Sequence, residues 1–449
     1  MARLGLRLSA EQPGVAAERA SAAGLAISPE AERTLILWLN NVSHATNHFQ
    51  NQMVSTLYPV IMAELGFGYF QLGAITAIRT VFANASQVAY GFLTPFVGRT
   101  RLLGLANLGM SVGSLFNGVV GGYGGFVAAR TVTSVASSAQ HPVGASLLSR
   151  YFPKRRGAVL ALNSSIANIG SLLAPAAAGI LLLVLGWRQI FFVVALLCLL
   201  VGGAFLLLGN TMDTGAQAGS RRGRLTQGKA SYLRVLRNRN IMVISLVQMV
   251  GAAGGEGGVN QTYIGPHLVN DLGFSVATAG LALSVFTAGS VVGPLGFGLL
   301  SDRVPRQRVI QISLVLSALG TLALAHQEFI QSLVAQAVQP WWSSPGDLVF
   351  PLLLVNLLFY GSVTSSRLTL TQALVADSLG DEDRDAAFSL YYFIGFFSDP
   401  IWSLVTGGLM ENFGFSFAFS RLAVTYVIGM LLLFLVRNGK TQTGMGPAA

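Results

Sequence analysis

Five polar side chains share one face of the first long apolar segment of this 449-residue chain. They recur at positions i, i+4, i+7, i+8 and i+11, which fall on one side of an α-helix: Asn40, His44, Asn47, His48 and Asn51. We predict that this stripe lines a hydrated cavity and binds substrate; the alternative is hydrogen bonding between helices. His44 and His48 also have the i, i+4 spacing of a zinc-binding helix. Neither Glu nor Cys accompanies them on that face, so we predict no metal site.

Two carboxylates lie near the middle of other apolar segments. Glu256 is flanked by glycines in AAGGEGGVNQ and is followed by Asn260 and Tyr263, which we predict to contact substrate. Asp399 precedes Pro400 in FFSDPIW. Glycine and proline permit broken helices, which commonly line transport sites. A desolvated carboxyl group can exchange a proton near neutral pH. We therefore predict proton coupling at Glu256 and Asp399, with a structural ion pair to a buried Arg as the alternative.

Three arginines lie inside apolar segments, where a charged side chain is costly unless it is paired or faces water: Arg79, Arg130 and Arg367. The planar guanidinium suits carboxylate and phosphate groups. Arg79 and Arg367 are therefore predicted anion contacts, or alternatively partners of an acidic side chain or a helix C-terminus. His141, which precedes Pro142, shares a helical face with Arg130. It is either a substrate-binding residue or the hydrogen-bonded cap of a kink.

The elements that position these side chains are membrane-spanning helices. Hydrophobic types make up 52% of the chain and charged types 10%, too few charges to cover a soluble surface of this size. A helix needs about 20 residues to cross the bilayer core. Twelve stretches meet this length, at 34–63, 70–96, 102–121, 124–149, 157–185, 187–209, 240–266, 274–300, 307–326, 348–376, 386–410 and 417–436.

The basic residues predict the orientation of these spans. Most of the 28 Lys and Arg fall on one side when the N-terminus is placed in the cytoplasm. The net charge of +10 is thus a topology signal, with no nucleic acid as partner. We expect a multi-pass protein of the plasma (inner) membrane with both termini cytoplasmic. The predicted regions are a disordered tail (1–32), a six-helix bundle (33–209), a cytoplasmic linker (210–239), a second six-helix bundle (240–437) and a tail (438–449).

A repeated motif relates the two bundles. GFLTPFVGRTR (Gly91–Arg101) and GLLSDRVPRQR (Gly298–Arg308) each follow the second span of their half. Here the chain resembles the major facilitator superfamily, whose motif reads roughly G-x-x-x-D-R-x-G-R-[RK]. The first copy has Pro95 at the Asp position. The resemblance implies gating roles for Gly91, Arg99, Gly298, Asp302, Arg303 and Arg306.

Further segments extend the resemblance over nearly the whole chain. VAARTVTSVASS resembles the fourth-span stretch of the family, and this implies a role for Arg130 in proton-linked conformational change. Ser43–Leu65 and SSAQHPVG (Ser137–Gly144) are similar to the fosmidomycin-resistance type of exporter, although Asn47-His48 replaces its usual Asn-Asp. The implied fold is an all-α membrane protein with twelve transmembrane helices in two pseudo-symmetric six-helix bundles, the major facilitator fold.

These features predict a secondary active transporter working by alternating access. We expect proton-coupled efflux of drug-like or anionic compounds; the alternative is proton-coupled uptake of an organic or inorganic anion. The sequence contains no Walker A or H-E-x-x-H pattern, so we predict neither enzyme activity nor a cofactor. The expected partners are the lipid bilayer, a small-molecule substrate and protons, and we expect a monomer.

Overall fold

The computed structural model describes residues 28–153, 155–208, 232–251, 258–339, 348–378 and 384–437. These residues are almost entirely helical and include no β-strand. Outside these ranges lie Glu256, the terminal tails up to residue 27 and from residue 438, and residues 210–231 of the linker. The predictions for those positions are therefore not addressed by the structure.

The first seven helices follow the predicted spans closely. They are α1 (Pro29–Leu65), α2 (Tyr69–Val97), α3 (Arg99–Val119), α4 (Tyr123–Ser137), α5 (Ala145–Tyr151), α6 (Arg156–Leu181) and α7 (Trp187–Leu208). The predicted fourth span is interrupted by a π-helical turn, Gln140–Gly144, between α4 and α5. Pro142 has no N–H to donate to the carbonyl four residues earlier, which explains the irregular turn.

The later helices depart from the prediction at three places. They are α8 (232–237), α9 (Arg239–Gly251), α10 (Val259–Pro266), α11 (Val276–Ser301), α12 (Arg306–Ala325), α13 (Gln327–Val338), α14 (Val349–Asp377), α15 (Arg384–Phe397) and α16 (Asp399–Leu433). No span was predicted in the region of α13, which lies between the predicted spans 307–326 and 348–376. The predicted eleventh span is broken before Asp399, and α16 then runs on through the twelfth span with a kink at Gly414, whose φ is +80°.

The chain forms two compact units. The first contains Met1–Met53, Ile78–Ala174 and Val184–Ala218, and the second contains Val54–Ala77, Pro175–Leu183 and Gly219–Ala449. Two segments of the predicted first bundle thus belong to the second unit. Both lie on the side predicted to be extracellular.

Each unit has an apolar core built from several helices. In the first unit, Ile36 of α1 and Leu103 of α3 pack in one buried cluster with Phe205 of α7. In the second unit, Ile244 of α9 and Tyr426 of α16 belong to another. Many further apolar side chains are exposed on the helix surfaces, as expected of helices that face lipid.

Seven helical stretches among the described residues are long and apolar enough to cross a membrane. One of them, Leu390–Leu433, covers the eleventh and twelfth predicted spans together. The fourth predicted span is divided into shorter helices, and the described residues of the seventh span form α9 and α10. The described chain is therefore a multi-pass helical membrane protein.

Candidate functional site

The polar stripe of α1 lies largely within the first unit. Asn40, His44 and Asn47 are buried, whereas His48 and Asn51 are half-buried. Asn47 Nδ2 donates to the Ser137 carbonyl at 2.8 Å, and Asn51 Nδ2 donates to the Asn47 carbonyl at 3.0 Å. The structure therefore shows interhelical hydrogen bonding for part of the stripe, the alternative raised from sequence.

Two residues of α6 bind the histidines of the stripe. Asn163 Oδ1 lies 2.6 Å from His44 Nδ1, and Ser171 Oγ lies 2.8 Å from His48 Nδ1. A close helix approach at Gly170 makes this possible, because a Cβ there would lie only 3.1 Å from Ala45 Cα. Asn163 and Ser171 were not predicted as site residues. The sequence marks them only as polar residues in an apolar span.

A third histidine completes a cluster of imidazoles. The ring centroid of His141 lies 5.0 Å from that of His44 and 5.6 Å from that of His48, in edge-to-face arrangements. The π turn that contains His141 packs near α1, since a Cβ at Gly144 would lie 2.8 Å from Asn40 Oδ1. Sequence reasoning named all three histidines but did not predict that they meet.

The two arginines predicted in the first unit differ in exposure. Arg130 of α4 is fully buried, and Ser134, one turn further along, is buried as well. Arg79 of α2 is half-buried. The predicted roles of both arginines stay predictions.

The second unit contains a buried cation and, at the start of α16, a carboxylate. Arg367 of α14 is only 2% exposed, and its Nη1 donates to the Gln248 carbonyl of α9 at 3.0 Å. The charge of Asp399 acts on this guanidinium. Asp399 is half-buried in the first turn of α16, where the helix dipole favours a negative group.

The other predicted residues of the seventh span hold helices together. Asn260 Oδ1 accepts from the Tyr360 hydroxyl at 2.8 Å, and both residues are fully buried. The Tyr263 hydroxyl donates to the Ser403 carbonyl at 2.6 Å. These bonds account for both polar groups without a substrate. The predicted contacts of Asn260 and Tyr263 with substrate stay predictions.

The α2 N-terminus packs within the second unit, on the side predicted to be extracellular. The Tyr69 hydroxyl lies 3.3 Å from Asp271 Oδ1, and Asp271 Oδ2 lies 2.7 Å from His267 Nδ1. The Phe70 amide donates to Glu411 Oε2 at 2.8 Å. A cavity of about 320 Å³ borders Tyr69, His267 and Asp271. This network was not predicted from the sequence. The i, i+4 spacing of His267 and Asp271 could have indicated that these two side chains meet.

The second copy of the repeated motif forms an ion-pair network. Arg306 Nη1 lies 2.6 Å from Asp377 Oδ2 of α14, and Asp302 Oδ1 lies 4.0 Å from Arg306 Nη2. Arg303 is exposed, and Gly298 lies in the last turn of α11. The carboxylate Asp377 was not predicted, because it comes from a distant span.

The first copy of the repeated motif also joins two helices. Gly91 lies in α2, and Arg99 begins α3. Arg99 Nε donates to the Ser146 hydroxyl of α5 at 2.9 Å. Both copies of the motif therefore hold helices together through an arginine.

Long apolar helices with buried polar and ionisable side chains define a polytopic membrane transporter of the helical class. The chain belongs to the Major Facilitator Superfamily, whose family model matches residues 41–260 and 250–444. This confirms the predicted family and the major facilitator fold. Because the family consists of transporters, it also confirms that the protein is not an enzyme. The protein therefore works in a lipid bilayer on small-molecule substrates.

Individual proteins agree with this assignment. The fosmidomycin resistance protein of Escherichia coli (strain K12) is 23% identical, over 93% of this chain and 97% of its own. An uncharacterised MFS-type transporter of Mycobacterium tuberculosis is 33% identical over 159 residues, which are 35% of this chain and 27% of that protein. The crystal structure of the nucleoside transporter NupG matches 90% of this chain and 100% of its own, with a TM-score of 0.71 and 13% identity.

Proposed function

We propose that the protein is a proton-coupled efflux transporter of drug-like or anionic compounds that works by alternating access. We place it in the plasma (inner) membrane as a monomer with both termini cytoplasmic. The similarity to the Escherichia coli fosmidomycin resistance protein over most of both chains supports export. The observation that carries the coupling is Asp399, a half-buried carboxylate in the first turn of α16, in the same unit as the buried cation Arg367.

The chemistry of this pair links substrate charge to coupling. A neutral or cationic compound that binds the Asp399 carboxylate excludes a proton from it. Substrate and proton then alternate on one group, as exchange in opposite directions requires. Glu256, predicted from sequence, would supply a second such carboxylate.

The same pair favours an alternative for anions. An anionic group that binds the Arg367 guanidinium neutralises a cation whose charge favours the ionised form of Asp399, so this carboxylate then holds a proton more readily. Anion and proton then travel together. This arrangement is proton-coupled uptake of an organic or inorganic anion.

Transport in proteoliposomes of known orientation separates these functions. Substrates are first found by thermal-shift screening against anions, sugars, phosphonates and hydrophobic drugs. A pH gradient is then imposed across the membrane, first in one direction and then in the other, while substrate and proton fluxes are recorded. Opposed fluxes support efflux by exchange, and parallel fluxes support the symport alternative.

Variants test the carboxylates directly. We expect Asp399→Asn combined with Glu256→Gln to abolish substrate-dependent proton flux. Glu328→Gln, at an exposed carboxylate of α13, is the matched control and should leave it unchanged. Proton flux that persists in the double variant would reject coupling through these groups.

A further inference from the structure

Three imidazoles converge in the first unit, on two stretches of chain that are far apart in sequence. His44 and His48 come from successive turns of α1, and His141 comes from the π turn after α4. We call these residues the histidine cluster. One ring nitrogen from each lies within 4.8 Å of the others. The cluster therefore offers three nitrogen ligands to a single point.

Hydrogen bonds fix which nitrogen His44 offers. Asn163 Nδ2 donates to Asn41 Oδ1 at 2.7 Å, which turns Asn163 Oδ1 toward His44 Nδ1 at 2.6 Å. His44 Nδ1 therefore carries the proton and donates it. Nε2 of the neutral ring then carries a lone pair. This buried Nε2 has no hydrogen-bond partner among the residues that the structure describes.

His48 is held in a similar way, by the Ser171 hydroxyl at 2.8 Å from its Nδ1. Metal-binding histidines characteristically use one ring nitrogen for the ion and the other for a hydrogen bond that sets the ring orientation. Asn163 and Ser171 occupy that supporting position for two of the three rings. This support distinguishes the cluster from three imidazoles that are merely packed together.

We propose that the histidine cluster binds a divalent transition-metal ion of the Zn²⁺ type. Neutral imidazole is a preferred ligand of such ions, and three histidines leave the fourth tetrahedral position to water or to an anionic group of a ligand. Zinc–nitrogen bonds of about 2.0–2.1 Å place the ligand nitrogens roughly 3.4 Å apart. In the proposed site, side-chain rotations would bring the nitrogens, which lie within 4.8 Å of one another, to that spacing.

Exposure across the cluster gives the ion a route of approach. His44 is 7% exposed, His48 is half-buried and His141 is exposed. An ion can thus meet His141 first and then reach the buried lone pair of His44. The sequence predicted no metal site, because neither Glu nor Cys accompanies His44 and His48 on their helix face and the sequence did not reveal His141 as a third ligand.

The test uses the full-length chain, purified without a histidine tag, and Co²⁺ as the spectroscopic probe. We expect one Co²⁺ per chain and the visible absorption of a low-coordinate, nitrogen-ligated ion. His44→Ala, His48→Ala and His141→Ala should each weaken binding at least about tenfold, and Asn163→Ala about 10- to 100-fold. His326→Ala is the matched control, since His326 bonds Ser420 on α16 instead. It should leave affinity unchanged.

X-ray absorption of the wild-type protein loaded with Zn²⁺ tests the site independently of whether the variants fold. A shell of about three imidazole nitrogens supports the site. A shell of oxygens alone, no Zn²⁺ binding, or Co²⁺ absorption that persists when all three histidines are replaced would overturn the proposal.

Discussion

Replacing Gly407 with alanine probes the contact between α2 and α16 on the predicted extracellular side. A Cβ at Gly407 would lie 2.5 Å from both the Tyr69 carbonyl oxygen and the Tyr263 hydroxyl, and 3.1 Å from Phe70 Cα. Two of these three atoms belong to the backbone of α2, which cannot rotate away as a side chain can. The contact must therefore loosen in the variant.

The neighbouring glycine provides a matched control. A Cβ at Gly408 would meet only Phe70 Cδ2 at 3.7 Å, an ordinary van der Waals distance. Both changes lie in α16 and bring the same gain in helix propensity, about 0.5–1 kcal/mol. The difference between Gly407→Ala and Gly408→Ala therefore isolates the clash. Overpacking of this kind costs about 1–3 kcal/mol, which corresponds to a loosening of about 5- to 150-fold.

Cysteine labelling measures this loosening. Ser403 is 1% exposed, and its carbonyl accepts from the Tyr263 hydroxyl beneath the contact. A Ser403→Cys reporter in a Cys198→Ser background should react with a membrane-impermeant maleimide only when the contact opens. We expect labelling to be about 5- to 150-fold faster with Gly407→Ala than with Gly408→Ala. Equal labelling rates in the Gly407→Ala and Gly408→Ala variants, at equal thermal stability, would refute the claim that a Cβ at Gly407 loosens the contact.

Two further predictions concern single hydrogen bonds in the second unit. Asp377→Asn removes the partly exposed ion pair with Arg306, so we expect at most about 1 kcal/mol of destabilisation. This loss should shrink as salt is added during thermal unfolding, and a salt-independent loss would contradict the ion-pair explanation. Tyr360→Phe removes the buried hydrogen bond from the Tyr360 hydroxyl to Asn260 Oδ1 and should cost about 1–3 kcal/mol in the same assay. Tyr392→Phe, at an exposed tyrosine, should cost less than about 0.5 kcal/mol; equal losses would count against the role of Tyr360.

Helix positions were predictable where apolar length alone decides them. α3 and α7 lie within a few residues of the predicted spans, because burial in lipid requires long apolar stretches with few charges. α13 escaped this criterion, since it is short and mixes glutamines with exposed Phe329 and Leu333. Its apolar residues follow helical spacing, so a search for helical periodicity, rather than span length, would have found it.

The composition of the candidate site was more predictable than its contacts. Helical spacing identified the stripe of α1, because residues on one face recur at three- and four-residue intervals. The same spacing does not show which helix packs against that face. Asn163 and Asp377 were missed for this reason, since their partners lie on helices far away in the sequence.

Hydrogen-bond capacity separates the roles of the stripe residues. Asn47 donates to the Ser137 carbonyl and accepts from Asn51 Nδ2 at 3.3 Å, so both ends of its amide are used within the unit. Such a group stabilises helix packing and has little capacity left for a ligand. His44 is equally well held at Nδ1, yet its buried Nε2 has no protein partner among the described residues. A buried polar atom without a partner is costly. The imidazole of His44, rather than the amide of Asn47, is therefore the group whose free energy a bound ligand would lower.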